Sequence, residues 1–192
     1  MNAGATVRRS ARRLPAALTI PEPVMCSRTR PQPSRGPFQV WRCTTDEDLD
    51  IALDLTAAAH QVPRHLLSSS IGAVASAGRA SVWLAYEGEQ PVSTVWLTRS
   101  GPCIGVMEMM TPPAYQGRGA GRALLSQALH SEWDETVDRS VLLGTPAGRR
   151  LYETLGFVAV DTRVGRIFAF VANTKASHSV PRTRSFFTTP PR

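Results

Sequence analysis

Two hydrophobic periodicities alternate along residues 38–133. Short runs that are alternating or wholly apolar are typical of strands. Four such runs predict strands at residues 38–43, 81–86, 91–98 and 104–110. Apolar positions at helical spacing predict helices at residues 46–60, at residues 66–77 and in a third segment that runs to Trp133. This order of elements predicts a mixed α/β domain with an antiparallel hairpin in its middle.

A glycine-rich turn between the fourth strand and the third helix carries the clearest chemical signal. Two prolines end the strand, and Gly117, Gly119 and Gly121 lead into the helix. The first N–H groups of a helix have no internal partner, and glycine lets a ligand approach the backbone, so this turn suits a phosphate or pyrophosphate. Arg118 and Arg122 would add charge-assisted contacts. The alternative is a turn that is rich in glycine only for flexibility.

Two common phosphate-binding motifs do not match this turn. A Walker A loop needs Gly-Lys-Ser/Thr, and the turn contains no lysine. A dinucleotide-binding fingerprint needs GxGxxG after an early strand, whereas here Arg122 takes the sixth position from Gly117 and hairpin signals come first.

The segment Gln116-Gly-Arg-Gly-Ala-Gly121 instead resembles the Q/R-x-x-G-x-G/A acyl-CoA motif of the GNAT superfamily of N-acetyltransferases. A second segment, Leu151-Tyr-Glu-Thr-Leu-Gly-Phe157, resembles the Leu-Tyr-x-x-x-Gly-Phe motif that follows in this family, and its Tyr152 lies 36 residues after Gln116. The two motifs occur in the family's order, and the resemblance covers about residues 38–171.

The resemblance implies a mixed, mostly antiparallel twisted sheet of about six or seven strands, flanked by about four helices. Further strands are then expected at residues 141–144, 157–161 and 166–171. The strand before the glycine turn and the strand at Val141 would run parallel and splay apart to form the acyl-CoA cleft.

Acetyl-CoA, as co-substrate, would bind in that cleft with its pyrophosphate on the glycine turn. Its pantetheine arm would pair with the strand that ends at Thr111, and a backbone N–H near Met110 would hold the thioester oxygen. Thr145 stands where the family often has asparagine, and Gly148 where alanine is common. The residues implied in cofactor binding are Met109, Met110, Thr111, Gln116, Gly117, Arg118, Gly119, Ala120, Gly121, Arg122 and Thr145.

Tyr152 and Glu108 are the candidate catalytic residues. By resemblance, Tyr152 donates a proton to the CoA thiolate; the alternative is an aromatic residue that only packs on the core. Glu108 is the one charged residue in an apolar strand and is the candidate base for the amine; a water chain is the alternative, and so is a purely solvated carboxylate. His60 and His65 lie near the junction of the first two helices, where an acceptor could contact them.

The net positive charge of the chain comes from its two end segments. The 192 residues carry a net charge of +7, with +6 in residues 1–37 and +4 in residues 172–192, which leaves −3 for residues 38–171. We therefore expect a disordered Arg/Pro-rich extension at 1–37, a GNAT-like domain at 38–172 and a disordered tail at 173–192. Nucleic-acid binding is not expected of the domain, and a role through the basic tails is the weaker alternative.

The cysteines and the hydropathy of the sequence indicate the cellular compartment of the protein. Cys26, Cys43 and Cys103 are odd in number and far apart, which argues against a disulfide framework and a zinc site, so no metal is expected. No apolar run reaches the roughly 18 residues of a membrane span. These features favour a cytoplasmic protein with reduced thiols.

The sequence thus predicts an enzyme, an N-acetyltransferase that moves an acetyl group from acetyl-CoA to a primary amine within a ternary complex. The acceptor would be a small molecule or a peptide, and the protein a monomer or homodimer. The alternative is a catalytically silent acyl-CoA-binding or regulatory module on the same fold.

Overall fold

The computed structural model describes residues 18–34 and 36–167, of which residues 20–165 form one compact unit. In chain order the elements are β1 (Leu18–Ser27), β2 (Phe38–Arg42), α1 (Asp46–His60), α2 (Arg64–Leu67), a π-helical turn (Ser68–Gly72), α3 (Ala73–Ser76), β3 (Ala80–Glu87), β4 (Gln90–Ser100), β5 (Cys103–Met110), a 3-10 turn (Pro113–Tyr115), α4 (Ala120–Glu132), β6 (Arg139–Leu143), α5 (Arg149–Thr154) and β7 (Val158–Ile167).

A seven-stranded sheet has the order β2-β3-β4-β5-β6-β1-β7. Strands β2 to β5 are antiparallel neighbours, and β6 pairs antiparallel with β1. Between them, β5 and β6 form a parallel pair that runs from Cys103↔Arg139 to Val106↔Leu142. The predicted fold class, a mostly antiparallel mixed sheet with one parallel pair and flanking helices, is confirmed.

Side-chain alternation along the strands divides the core into two layers. In β3, Val82, Leu84 and Tyr86 pack with Ala52 and Leu53 of α1. Their neighbours point to the opposite face and pack with the apolar stripe of α4. The second layer contains Trp83, Ala85, Val95, Leu97, Ile104, Val106, Leu124, Leu125, Ala128, Leu129, Tyr152 and Phe157. We call the two sides of the sheet the α1 face and the α4 face.

Local sequence signals set the ends of α1. Thr45 and Asp48 form a capping box, in which each side chain accepts a backbone N–H of the other. The helix ends where Gln61 adopts a left-handed conformation, with φ 55°, and its N–H reaches back to the carbonyls of Ala57 and Ala58. Pro63 then starts the next helical segment, so α1 presents His60 as its last residue.

The prediction that residues 1–37 form a disordered extension is wrong for residues 18–34. β1 lies between β6 and β7, and Met25 at its centre is fully buried in the α4-face core. Pro23 is tolerated because the sheet uses only its carbonyl, which accepts the N–H of Gly144 at 2.8 Å. The proline and arginine content masked a short strand whose partner lies more than a hundred residues away.

The segment after β1 runs along α4. Arg30 donates to the carbonyl of His130 at the C-terminal end of α4, at 2.8 and 3.1 Å, and the N–H of Ser34 donates to Ser126 Oγ at 2.9 Å. A guanidinium at a helix C-terminus also matches the sign of the helix dipole. The rest of the predicted extension, residues 1–17, and the predicted tail at 173–192 lie outside the described residues.

The last predicted strands differ from those observed. Residues 157–161 and 166–171 were expected as two strands, whereas one strand, Val158–Ile167, spans the interval, and residues 168–171 lie outside the described part. The expectation of two separate strands had come from the resemblance and not from a turn signal in the sequence. The position beside β6 is filled by β1 from the other end of the chain.

Candidate active site

The parallel strands β5 and β6 separate into an open wedge. Their pairing stops at Val106↔Leu142, while β5 continues to Met110. Residues 107–110 of β5 therefore have no partner on their β6 side. Exposed backbone N–H and C=O groups on a strand can pair with an extended ligand, and the wedge offers four residues of such a strand.

Buried polar contacts fix the end of β5 at this wedge. The fully buried Ser93 donates from its hydroxyl to the carbonyl of Met110 at 2.8 Å. Its Oγ also lies 2.8 Å from Thr111 Oγ1. From the other side, Gln116 Nε2 donates to the Thr111 carbonyl at 2.9 Å. The predicted residues Met110, Thr111 and Gln116 therefore lie together. Ser93 was missed, and its only sequence signal was a hydroxyl within an apolar hairpin strand.

The N-terminus of α4 opens next to the same strand end. Gly119 is its N-cap with φ 93°, and no side chain caps the helix. The N–H groups of Ala120, Gly121 and Arg122 are therefore unpaired donors at the positive end of a helix of 13 residues. Gly117 is also left-handed, with φ 74°, and has open space where a Cβ would stand.

Gly121 lies closest to the wedge. A Cβ there would stand 3.0 Å from Met109 Cε, 3.3 Å from Thr111 Oγ1 and 3.4 Å from a methyl of Leu151. Position 121 therefore requires glycine, because the N-terminus of α4 lies close to both β5 and α5. The glycine turn, the end of β5 and the start of α5 meet at one place, as the resemblance implied.

The two arginines of the turn have different surroundings. The guanidinium of Arg118 forms an ion pair of 2.5 Å with Glu87 at the end of β3. Arg122 is exposed and, together with Pro37, Phe38 and Gly119, lines an open groove of about 320 Å³. Arg122 therefore contributes positive charge beside the α4 N-terminus, while the charge of Arg118 is partly neutralised.

Tyr152 of α5 lies in the α4-face core, 7% exposed, with its ring edge-on to Phe157 at 6.1 Å. Burial raises the pKa of its hydroxyl, so the group is a protonated donor at neutral pH. The ring lies against the backbone of Gly148, where a Cβ would stand 2.8 Å from a ring carbon. This contact explains why glycine replaces the alanine that is common in the family. The hydroxyl has no hydrogen-bond partner among residues 18–34 and 36–167.

Thr145 lies in the turn that leads into α5 and does not extend β6. Its hydroxyl and its carbonyl both accept the N–H of Gly148 at 3.1 Å, and its carbonyl also accepts that of Arg149 at 3.0 Å. Just before it, Gly144 packs on β1, since a Cβ there would stand 2.8 Å from Met25 Sδ. The wall of the wedge formed by β6 is therefore supported by the N-terminal strand.

Glu108 lies on a β-bulge that reverses the alternation of β5. Thr94 pairs with Met110 and Trp96 with Met107, so two residues of β5 oppose one of β4, and Glu108 is left-handed with φ 46°. In a regular strand Glu108 would share the α4 face with Val106. Because of the bulge, Met109 packs on the α4-face core, and the Glu108 carboxylate instead turns to the α1 face.

On the α1 face, Glu108 meets the end of α1. His60 Nε2 lies 2.7 Å from Glu108 Oε2, with side-chain exposures of 40% and 24%. The structure thus brings one of the two predicted histidines to the candidate base. The other, His65, is exposed and lies outside this group. No sequence signal could pair residues 48 apart across a bulge that the sequence does not announce.

Within the described ranges, no group of three or more His, Cys, Asp or Glu side chains is placed to hold a metal ion. In the same part of the chain, no helix is long and apolar enough to cross a membrane.

The comparisons with known proteins agree with this geometry. A family model for the acetyltransferase (GNAT) domain matches residues 78–159, which include β4, β5, the glycine turn and Tyr152. A search of curated proteins finds no match.

Solved structures provide the fold. A GCN5-related N-acetyltransferase from Kribbella flavida is 15% identical, with a TM-score of 0.59, over 76% of this chain and 56% of that one. A second, from Sphaerobacter thermophilus, is 14% identical, with a TM-score of 0.59, over 78% and 51%. The chain thus spans little more than half the length of these two proteins.

A third solved structure, a predicted acetyltransferase with acetyl-CoA from Clostridium acetobutylicum, is 15% identical, with a TM-score of 0.54, over 65% of this chain and 92% of that one. At such identities the likeness establishes the fold. The resemblance in the two motifs is therefore confirmed: residues 78–159 match the acetyltransferase (GNAT) domain model, and the described part of the chain has the fold of these GCN5-related N-acetyltransferases.

Proposed function

We propose that this protein is an N-acetyltransferase that transfers an acetyl group from acetyl-CoA to a primary amine. The observation that carries the proposal is the wedge between β5 and β6, which joins two sites on opposite faces of the sheet. The uncapped N-terminus of α4 is on one face, and the half-buried carboxylate of Glu108 is on the other. A ligand that crossed the sheet there would bring a bound anion and a reacting group to the two sites at once.

The residues around the wedge fit acetyl-CoA. The N–H groups of residues 120–122 would bind the pyrophosphate, and the left-handed glycines at 117 and 119 leave the approach free of side chains. Met109, Met110 and Thr111 would pair with the pantetheine arm, held in place by Ser93 and Gln116. Arg122 would add charge near the phosphates.

Thr145 would act only through the backbone, because its hydroxyl is used to start α5. The same holds for Ala120, whose side chain is buried and whose N–H faces the turn. Arg118 would reach a phosphate only by exchanging its partner Glu87 for it.

The chemistry needs three groups in addition to the cofactor. The nitrogen of the neutral amine would bond to the acetyl carbon, and Glu108 would accept the proton that this nitrogen then loses. A backbone N–H freed by the bulge near Met110 would stabilise the negative oxygen of the tetrahedral intermediate. As the carbon–sulfur bond breaks, Tyr152 would give its proton to the departing thiolate, and solvent would return both groups to their starting states. The raised pKa of Tyr152 keeps its hydroxyl protonated at neutral pH, so a hydrogen-bond donor is in place when the thiolate forms.

The test is a screen of amines with the full chain and acetyl-CoA. Primary amines, aminoglycosides, amino acids and peptides with free N-termini are incubated separately, and both free CoA thiol and the acetylated amine are measured. We expect equal amounts of thiol and acetylated product for at least one acceptor. A chain that binds acetyl-CoA but acetylates no amine would support the silent-binder alternative instead.

A further inference from the structure

The contact between His60 and Glu108 links the end of α1 to the bulge of β5. We propose that His60 is a positioning residue that holds the Glu108 carboxylate at the wedge, in the orientation needed to accept the proton of the amine. The inference rests on the proposed acetyl transfer and adds a residue to it from outside both motifs.

The backbone at Glu108 supports this role. A residue other than glycine in the left-handed region is strained, and such strain persists where the surroundings enforce it. Here the register of β4 enforces it, since Met110 must pair with Thr94 and Met107 with Trp96. The bulge moves the carboxylate to the α1 face, but a side chain with free rotation would still reach solvent.

The hydrogen bond to His60 restricts that rotation. The His60 Nε2–H donates to Glu108 Oε2 at 2.7 Å, which leaves Oε1 without a partner among the described residues. One carboxylate oxygen is therefore held and the other is free for the proton of the amine. An imidazole that donates through Nε2 fixes the direction of the carboxylate in the way that a carboxylate fixes a catalytic histidine.

His60 itself is held by the helix junction. The left-handed Gln61 ends α1 immediately after it, so the side chain starts from a defined backbone position. Arg64, at the start of α2, forms ion pairs with Asp50 and with Asp54 of α1, the second at 3.4 Å. The junction thus connects two helices by charge next to the residue that contacts Glu108.

The experiment compares steady-state kinetics of single and double variants of the full chain with the best acceptor found. We expect His60→Ala to lower kcat about 10-fold to 100-fold, the range for a group misplaced by about 1 Å. The KM for acetyl-CoA should stay unchanged, because His60 contacts only the side chain of Glu108 on the α1 face, whereas the cofactor would pair with the backbone of residues 109–111 and with the N-terminus of α4. His60→Gln, which keeps a side-chain N–H, should recover most of kcat, and the control His130→Ala, in the last turn of α4, should keep the kcat of the wild type.

A double-variant cycle separates positioning from a general loss of stability. If His60 acts only through Glu108, then His60→Ala with Glu108→Gln should be no slower than Glu108→Gln alone. Losses that multiply, or a His60→Ala variant within twofold of wild type, would overturn the inference and leave the acetyl transfer intact. A wild-type chain that acetylates no amine overturns the proposed function, and this inference with it.

The ring nitrogens of His60 provide a readout besides activity. In the protein labelled with ¹⁵N-histidine, Glu108→Ala should shift the Nε2 resonance of His60 and leave that of His65 in place. An unchanged His60 resonance would mean that the contact is not made in solution, and the inference would fail.

Discussion

Gly119→Asp tests whether the N-terminus of α4 binds the phosphates of acetyl-CoA. The substitution places a carboxylate where the turn now has none. A short acidic side chain at the N-cap accepts the free N–H groups of the first turn, so the new carboxylate would occupy the donors that an anion needs. It would also repel the pyrophosphate. Binding should be lost by two mechanisms that do not require unfolding.

The structure shows that the fold should tolerate the change. A Cβ at Gly119 would stand 3.8 Å from Phe38, which is ordinary contact, so the cost is that of a left-handed residue, about 1–2 kcal/mol. Gly101 provides a matched control. It is also left-handed, with φ 55°, has nothing within 4 Å of a Cβ, and lies in the β4–β5 turn, at the end of β5 opposite to the wedge.

The measurement is the thermal shift caused by acetyl-CoA. At a concentration of about 100 times its Kd, the ligand should stabilise the wild type by roughly 2.7 kcal/mol. For a domain of this size that is a rise in Tm of about 5–10 °C. Gly101→Asp should keep the full rise and Gly119→Asp should lose it. If a folded Gly119→Asp variant keeps the rise, the phosphates bind elsewhere and the argument from the helix N-terminus is wrong.

Three further predictions concern the core, the candidate acid and a thiol. Tyr152→Phe should lower kcat about 10-fold to 100-fold, below the upper range for acid–base catalysis because a thiolate leaves readily, while Tyr86→Phe should change kcat less than twofold. Met25→Ala should destabilise the domain by about 2–5 kcal/mol in chemical denaturation, because the side chain is fully buried, and Met107→Ala, 48% exposed, should cost less than about 1 kcal/mol. A small loss at Met25 would mean that β1 is not part of the folded sheet. Burial, and then the nearby Asp48, raises the pKa of the Cys43 thiol to about 12, so iodoacetamide at pH 8 should modify it more slowly than an unperturbed thiol, as peptide mass spectrometry would show.

Local patterns carried most of the fold because most of its elements are local. The hairpin of β3 and β4, the capping box at Thr45 and the glycine turn each depend on residues a few positions apart. A periodicity or a motif in the sequence can indicate such local features. The structure contains the hairpin, the capping box and the glycine turn. The resemblance added the parallel pair and the relation between the two motifs.

The features that the sequence did not predict depend on residues far apart in the chain, or on local signals that oppose one another. β1 looked disordered because its two prolines, and the arginines in the residues on either side of it, outweigh four residues of strand pattern. Only the free edge of β6 makes that pattern a strand. The bulge at Glu108 is a difference in residue count between two strands, which neither strand shows alone. Without the bulge, alternation would have assigned Glu108 to the α4 face, and no argument from the sequence would have brought His60 to it.

The position of β1 also affects the order in which the protein can assemble. Val24 pairs with Leu143, a separation of 119 residues, so β1 cannot pair until β6 has also left the ribosome. Pairings between distant residues form slowly, because a long loop must close before any contact is gained. The hairpins of β3 to β5 can form during this wait, whereas the β6 wall of the wedge is completed only when both ends of the domain have been synthesised. A nascent chain should therefore become able to bind acetyl-CoA late, in the step that inserts its N-terminal strand.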